Sequence, residues 1–305
     1  MAILRHFAIV LALVGFGGSA CRPPAPPPAV YLLTGNLHAR CLSVLREGLL
    51  DGAPETAIHA AEALTGARYG FEVRPVMLDL LAVVQDGRVR ASLVGELVRS
   101  GDEASIVALQ DGLLEPDMDV RVASARTLFS IARAGDPALL HRAMQEGEDE
   151  RLRLYAAAAL QRAGRGETIG FIRQRLESDD PIVRSTAADV LLVLGDNSDI
   201  PALQASLGRA VFETDRTYAE RTLAVLGDEA ARRALHQQLG HPDSVTRAHA
   251  ARAAAEAWLV DGASRLYALL DDPVMDVRVR AAHALLVLSD AEAPAYARRV
   301  GLSNK

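Results

Sequence analysis

The sequence predicts an all-α solenoid of about eight short helix pairs, on three observations. Seven arginines, Arg90, Arg121, Arg153, Arg184, Arg216, Arg247 and Arg278, recur at spacings of 31, 32, 31, 32, 31 and 31 residues. Apolar residues follow each arginine at offsets of 3, 4, 7 and 10, which is one face of a helix. Helix-start and helix-stop residues bracket those stretches at the same phase. A compact enzyme has no physical reason to keep such a period. Stacked units do, because each buries its apolar face only against its neighbours.

Around Arg184 the chain reads Asp180-Pro181-Ile182-Val183, then Ala187-Ala188, Leu191, Leu194 and Gly195-Asp196. Asp-Pro supplies an N-cap and a first-turn proline whose missing N–H costs nothing there. Gly-Asp supplies a left-handed C-terminal cap and a new turn. A second apolar helix follows, as in the stretch from Ile200 to Leu207. The other units match: Ala156-Ala157, Leu160 and Gly164 after Arg153; Ala219, Leu223, Leu226 and Gly227-Asp228 after Arg216; Ala281-Ala282, Leu285 and Leu288 after Arg278. Some units depart from the pattern. Ala57 stands where the first unit would carry arginine. The Arg121 and Arg247 units have extra residues before Gly135 and Gly262, and the latter carries Trp258. Trp258 is thus a candidate partner contact, with burial in an alanine-rich helix as the alternative.

The Asp-Pro-x-Val-Arg-x-x-Ala-Ala-x-x-Leu pattern closed by Leu-Gly-Asp resembles the short bacterial HEAT-like repeats first recognised in bilin lyases. The resemblance covers residues 40 to 302. It implies a right-handed α-solenoid in which the arginine braces neighbouring units, so the seven arginines are read as a structural ladder, with an acidic-ligand site as the alternative. It also implies a scaffold for a protein or peptide, held on a curved face lined by the second helices of the pairs. Bilin-lyase activity is the nearest enzymatic precedent.

The N-terminus reads as an address. Arg5 and His6 precede an apolar run from Phe7 to Phe16, too short to span a bilayer. Gly18-Ser19-Ala20-Cys21 resembles a bacterial lipobox. The expected organisation is a signal peptide over 1–20, a lipidated Cys21 with a proline-rich linker over 21–29, and the solenoid over 30–305. Arg22 through Pro28 reads as a polyproline II stalk of about 20 Å. Arg22, after the cysteine, points by the same resemblance to the outer membrane, facing the periplasm. The alternative is plain secretion, with Cys21 free to pair with Cys41.

Chemistry is sparse. The net charge of −6 argues against a general nucleic-acid binder. None of the eight histidines precedes a glutamate, and they fall at different repeat offsets, so no stacked metal site is expected. No phosphate-binding loop or nucleophile motif appears. The reading is a non-enzymatic, cofactor-free interaction scaffold anchored to the envelope. A soluble secreted module is the second reading, and a small-molecule binder or enzyme the third. A continuous groove would favour the first two, and a pocket of convergent polar groups the third.

Overall fold

The computed structural model describes residues 31–290. The expected signal peptide over 1–20, Cys21 and the proline-rich stretch over 21–29 lie outside them, as do the last fifteen positions. Among the described residues all regular structure is helical: sixteen α-helices, four short 3-10 turns and no strand.

The helices alternate between two layers. The outer layer is α1 (Gly35–Asp51), α3 (Gly70–Val83), α5 (Ile106–Gly112), α7 (Pro137–Glu146), α9 (Ile169–Gln174), α11 (Ile200–Gly208), α13 (Glu229–Gln238) and α15 (Ala263–Leu269). The inner layer is α2 (Pro54–Gly66), α4 (Gly87–Arg99), α6 (Met118–Ser130), α8 (Glu150–Arg162), α10 (Pro181–Leu194), α12 (Glu213–Val225), α14 (Ser244–Glu256) and α16 (Met275–Ser289). Each inner helix packs on the next, and α16 packs back on α2 and α1. The solenoid therefore closes into a ring of eight pairs. Each pair turns the chain by about 45° on average, an increment that the repeat period does not encode.

Local chemistry sets the helix ends. The side chains of Asp86, Asp117, Asp149, Asp180 and Asp243 cap inner helices by accepting first-turn N–H groups. At the other end, six inner helices close with one residue in the left-handed region: Arg68, Gly101, Ala132, Gly164, Gly227 and Trp258. The following residue donates back across the cap, as in Asp102 N to Leu97 O and Leu259 N to Ala254 O. This accounts for the two irregular units. Ala132 and Trp258 occupy the capping slot; the later Gly135 lies in the loop, and Gly262 ends the 3-10 turn Val260–Gly262. Gly195 departs from expectation: it is extended at φ −77°, because Asp196 instead caps the next 3-10 turn.

The alanine pairs at offsets 3 and 4 let inner helices approach closely; Ala60, Ala61, Ala156, Ala157, Ala187, Ala188, Ala281 and Ala282 are fully buried. Hydrogen bonds between neighbouring inner helices join residues 31 to 35 apart, such as Arg99 to Ser130, Tyr155 to Asp189, Thr222 to the Ala188 carbonyl and Arg221 to Glu256. The inner helices thus run parallel and in register, with all their N-termini at one mouth of the ring.

The ring is sealed where its ends meet. Tyr31 N donates to Leu288 O, Arg278 reaches Glu47 at 3.1 Å, and Arg40 pairs with Asp271 while lying over the Tyr267 ring. Gly48 of α1 sits against Val279 of α16, and a Cβ there would come within 2.3 Å of the valine methyl. Cys41 is fully buried in α1, and burial pushes its thiol up to about 11.

Candidate functional site

The resemblance places the binding surface on the second helices of the pairs. The ring reverses this. The arginine-bearing helices line the lumen, and the second helices form the outer wall. On an inner helix, positions at offsets −2, +2, +5 and +9 from the ladder position share the face opposite the apolar one. That face points into the lumen, and its residues do not repeat from unit to unit. Offset +2 holds His59, Ser92, Ala123, Tyr155, Thr186, Tyr218, His249 and Arg280. Offset +5 holds Glu62, Gly95, Arg126, Ala158, Asp189, Arg221, Arg252 and His283.

A network of ion pairs crosses this lumen. Arg221 grips Glu256 through two 2.5 Å contacts, and Arg252 donates to the same carboxylate at 3.0 Å. Asp189 accepts the Tyr155 hydroxyl at 2.8 Å, and both Arg126 and Arg221 stand 3.6 Å from it. Burial opposes ionisation of Asp189, but the two guanidiniums and the tyrosine hydroxyl outweigh it and hold its carboxyl low. Burial of Glu62 is likewise outweighed by Arg252 and Arg99, which keep it ionised. Glu96 goes the other way. Burial pushes its carboxyl up to about 7, and Oε2 has no hydrogen-bond partner although Oε1 meets Arg99.

Three histidines also lie on this face, although their repeat offsets differ. Offsets +2 and +5 are one turn apart on the same face, so His59, His249 and His283 all reach the lumen. At the ring seam His59 Nδ1 lies 2.7 Å from Asp276, and Nε2 lies 3.0 Å from Arg280. Neutral His59 fits both contacts, donating from Nδ1 and accepting at Nε2. Burial lowers its basicity, as it does that of His283. Among the described residues no group of three or more His, Cys, Asp or Glu is arranged to hold a metal ion, and no helix is long and apolar enough to cross a membrane.

Toward the mouth at the N-terminal ends of α4 to α12 the lumen opens into a pocket of about 570 Å³. Its walls include Arg88, Asp119, Arg126, Arg151, Tyr155, Ile182, Phe212 and Tyr218. One side of the mouth is charged: Arg151 pairs with Asp119 and Asp149, and Arg88 with Asp86. The other side carries exposed Ile182 and Phe212, continued around the rim by exposed Val211 and Val245.

The ladder arginines lie outside this lumen, on the flank of each inner helix. Arg90 donates to the Leu81 and Val84 carbonyls, Arg121 to Leu113 O and Arg153 to Met144 O. These carbonyls end, or lie just beyond, the preceding outer helices, where no intrahelical donor is available. Arg184, Arg247 and Arg278 do the same for residues 178–179, 241–242 and 272–273, and also bridge to Asp215, Asp272 and Glu47 of the next pair around the ring. Arg216 is half-exposed, and among the described residues its guanidinium pairs with Glu220, at 4.0 Å. Trp258 is half-buried and packs against the core.

Residues 137–224 match the family model described as HEAT repeats, a span from α7 to near the end of α12. No curated protein sequence matches the chain. Among solved structures, human deoxyhypusine hydroxylase in complex with glycerol is 19% identical, with a TM-score of 0.41, covering 83% of this chain and 97% of its own. Two engineered proteins are each 20% identical, with TM-scores of 0.32 and 0.30. Each covers 82% of this chain, and 97% and 78% of its own respectively.

Proposed function

We propose that this protein is a non-enzymatic binding module of the bacterial cell envelope, tethered through lipid on Cys21, whose ring mouth receives part of a protein or peptide partner. HEAT-type repeats are an architecture for presenting extended binding surfaces. The observation that carries this reading is the mouth pocket. There the lumen opens into free volume, and exposed aromatic and aliphatic side chains stand on its rim. A volume of about 570 Å³ admits a chain end or a side-chain cluster, not a folded domain.

The test is a photoreactive amino acid at Phe212, with Val107 on the outer helix α5 as the control. A partner cross-linked through 212 and not through 107 supports the reading; equal capture at both positions contradicts it. The anchor is tested separately. Labelled palmitate should enter the wild-type chain and not Cys21→Ser, since acyl chains on that cysteine would hold the ring at the membrane. Release of the wild-type chain with an unmodified Cys21 would replace the anchored reading with the secreted one. The same pocket volume also suits a free small molecule, the third reading drawn above.

A further inference from the structure

The geometry points to a carboxylate-recognition site at the floor of the mouth pocket, built on Arg126, for a ligand whose single carboxylate is borne on an apolar stem. This inference rests on the binding reading above and names its chemistry.

Arg126 is a guanidinium on the pocket wall, flanked by Tyr155, by Asp189 and by the Tyr218 hydroxyl, none of which holds it in a close ion pair. Its side chain is half-exposed. Arg221 holds a carboxylate at 2.5 Å, whereas the Asp189 oxygen nearest Arg126 lies 3.6 Å away and already accepts the Tyr155 hydroxyl. Arg126 also lies over the face of the Tyr155 ring, 5.8 Å from its centroid. The fork is thus braced from below by a ring and a shared carboxylate, with one side toward the cavity. A planar fork held in that way suits bidentate pairing with a carboxylate.

The rest of the pocket agrees with this charge. Asp119 at the rim is tied to Arg151, and Asp215 is buried against Arg184, so neither acid is free to oppose an anion. The wall facing the charged side is Ile182 and Phe212, both more than half exposed. A stem leaving the carboxylate would cover them. Peptide C-termini and free alkyl or aryl carboxylic acids share this chemistry.

The test has two arms on the full ring. One offers a library of peptides with free C-terminal carboxylates beside the same library amidated. The other offers alkanoic and arylalkanoic acids beside the matching alcohols. Binding should require the carboxylate in at least one arm and should fall about tenfold or more in Arg126→Gln. Phe212→Ser, at an exposed site where folding is not at stake, should weaken binding with the carboxylate requirement intact. Helical content and thermal midpoint, followed in parallel, separate loss of the site from loss of the ring. Binding by peptides supports both this site and the protein-partner reading. Binding by free acids alone supports the site and removes that reading. Binding indifferent to amidation and to reduction to the alcohol, or unchanged in Arg126→Gln, overturns the site, even if Phe212 still cross-links a partner.

Discussion

Replacing Arg184 by alanine should destabilise the ring far more than the same change at Arg216, although the two occupy one position of the repeat. Arg184 and Asp215 are both 3% exposed and meet at 2.8 Å. The same guanidinium donates to Ser178 O, Asp179 O and Arg209 O at 2.9 to 3.1 Å, so it ties the end of one outer layer to the next unit. Truncation leaves Asp215 buried with only the Val211 N–H, at 3.3 Å. Removing one partner of a buried pair costs about 3–5 kcal/mol, since the remaining charge is uncompensated. For a ring of this size that is roughly 6–20 °C in thermal midpoint. Arg216 is 49% exposed with its partner at 4.0 Å, and truncation there should cost about 0.5 kcal/mol or less. Urea and thermal melts followed by far-ultraviolet circular dichroism measure both. Lysine at 184 should recover only part of the loss, lacking the fork. If Arg184→Ala is no worse than Arg216→Ala, the bracing role drawn from the geometry is wrong.

Two further outcomes follow from the seam and the lumen. Gly48→Ala pushes a Cβ into the Val279 methyl and should cost about 1–3 kcal/mol by overpacking, while Gly66→Ala, with open space around it, should not; denaturant midpoints of the two variants decide it. Glu96→Gln should become more stable than the wild type as pH rises. Because burial raises the Glu96 carboxyl in the folded ring to about 7, the ring takes up that proton more readily than the unfolded chain, and its contribution is lost as pH climbs from about 4.5 through 7. Glutamine removes that loss, so the variant's thermal midpoint should pull ahead of wild type at pH 8 and converge with it at pH 5. A constant difference across that range would remove the assignment.

What the sequence made legible is what repeats. The ladder arginines, the alanine pairs and the aspartate caps are selected by the same contacts in every unit, so they fall into register and report the helix pairs. The lumen is built from positions freed of that requirement. His59 and His283 share no offset, yet offsets +2 and +5 are one turn apart on one helix face, and the ring brings α2 beside α16. Taken as a single helix face, the −2, +2, +5 and +9 stripe gathers Arg126, Tyr155, Asp189 and Arg221 from the residue spacing alone. Closure was not legible, because it depends on a small rotation per unit summed over eight interfaces. The choice of inner layer followed from family likeness, whereas it is set here by which helices have alanines small enough to crowd the shorter circumference.

Closure is the claim on which the lumen, its pocket and the proposed ligand all depend, and a cross-link across the seam tests it most directly. Arg40→Cys and Asp271→Cys place two thiols at a salt-bridged pair on the first and last units. In a Cys21→Ser background the buried, weakly acidic Cys41 thiol stays silent. A short bis-maleimide should join the two positions within one chain, rapidly and independently of protein concentration, and denaturing electrophoresis should show a looped monomer of altered mobility. An open solenoid would keep its two ends apart, giving only singly capped chains or concentration-dependent dimers, and that result would contradict the ring.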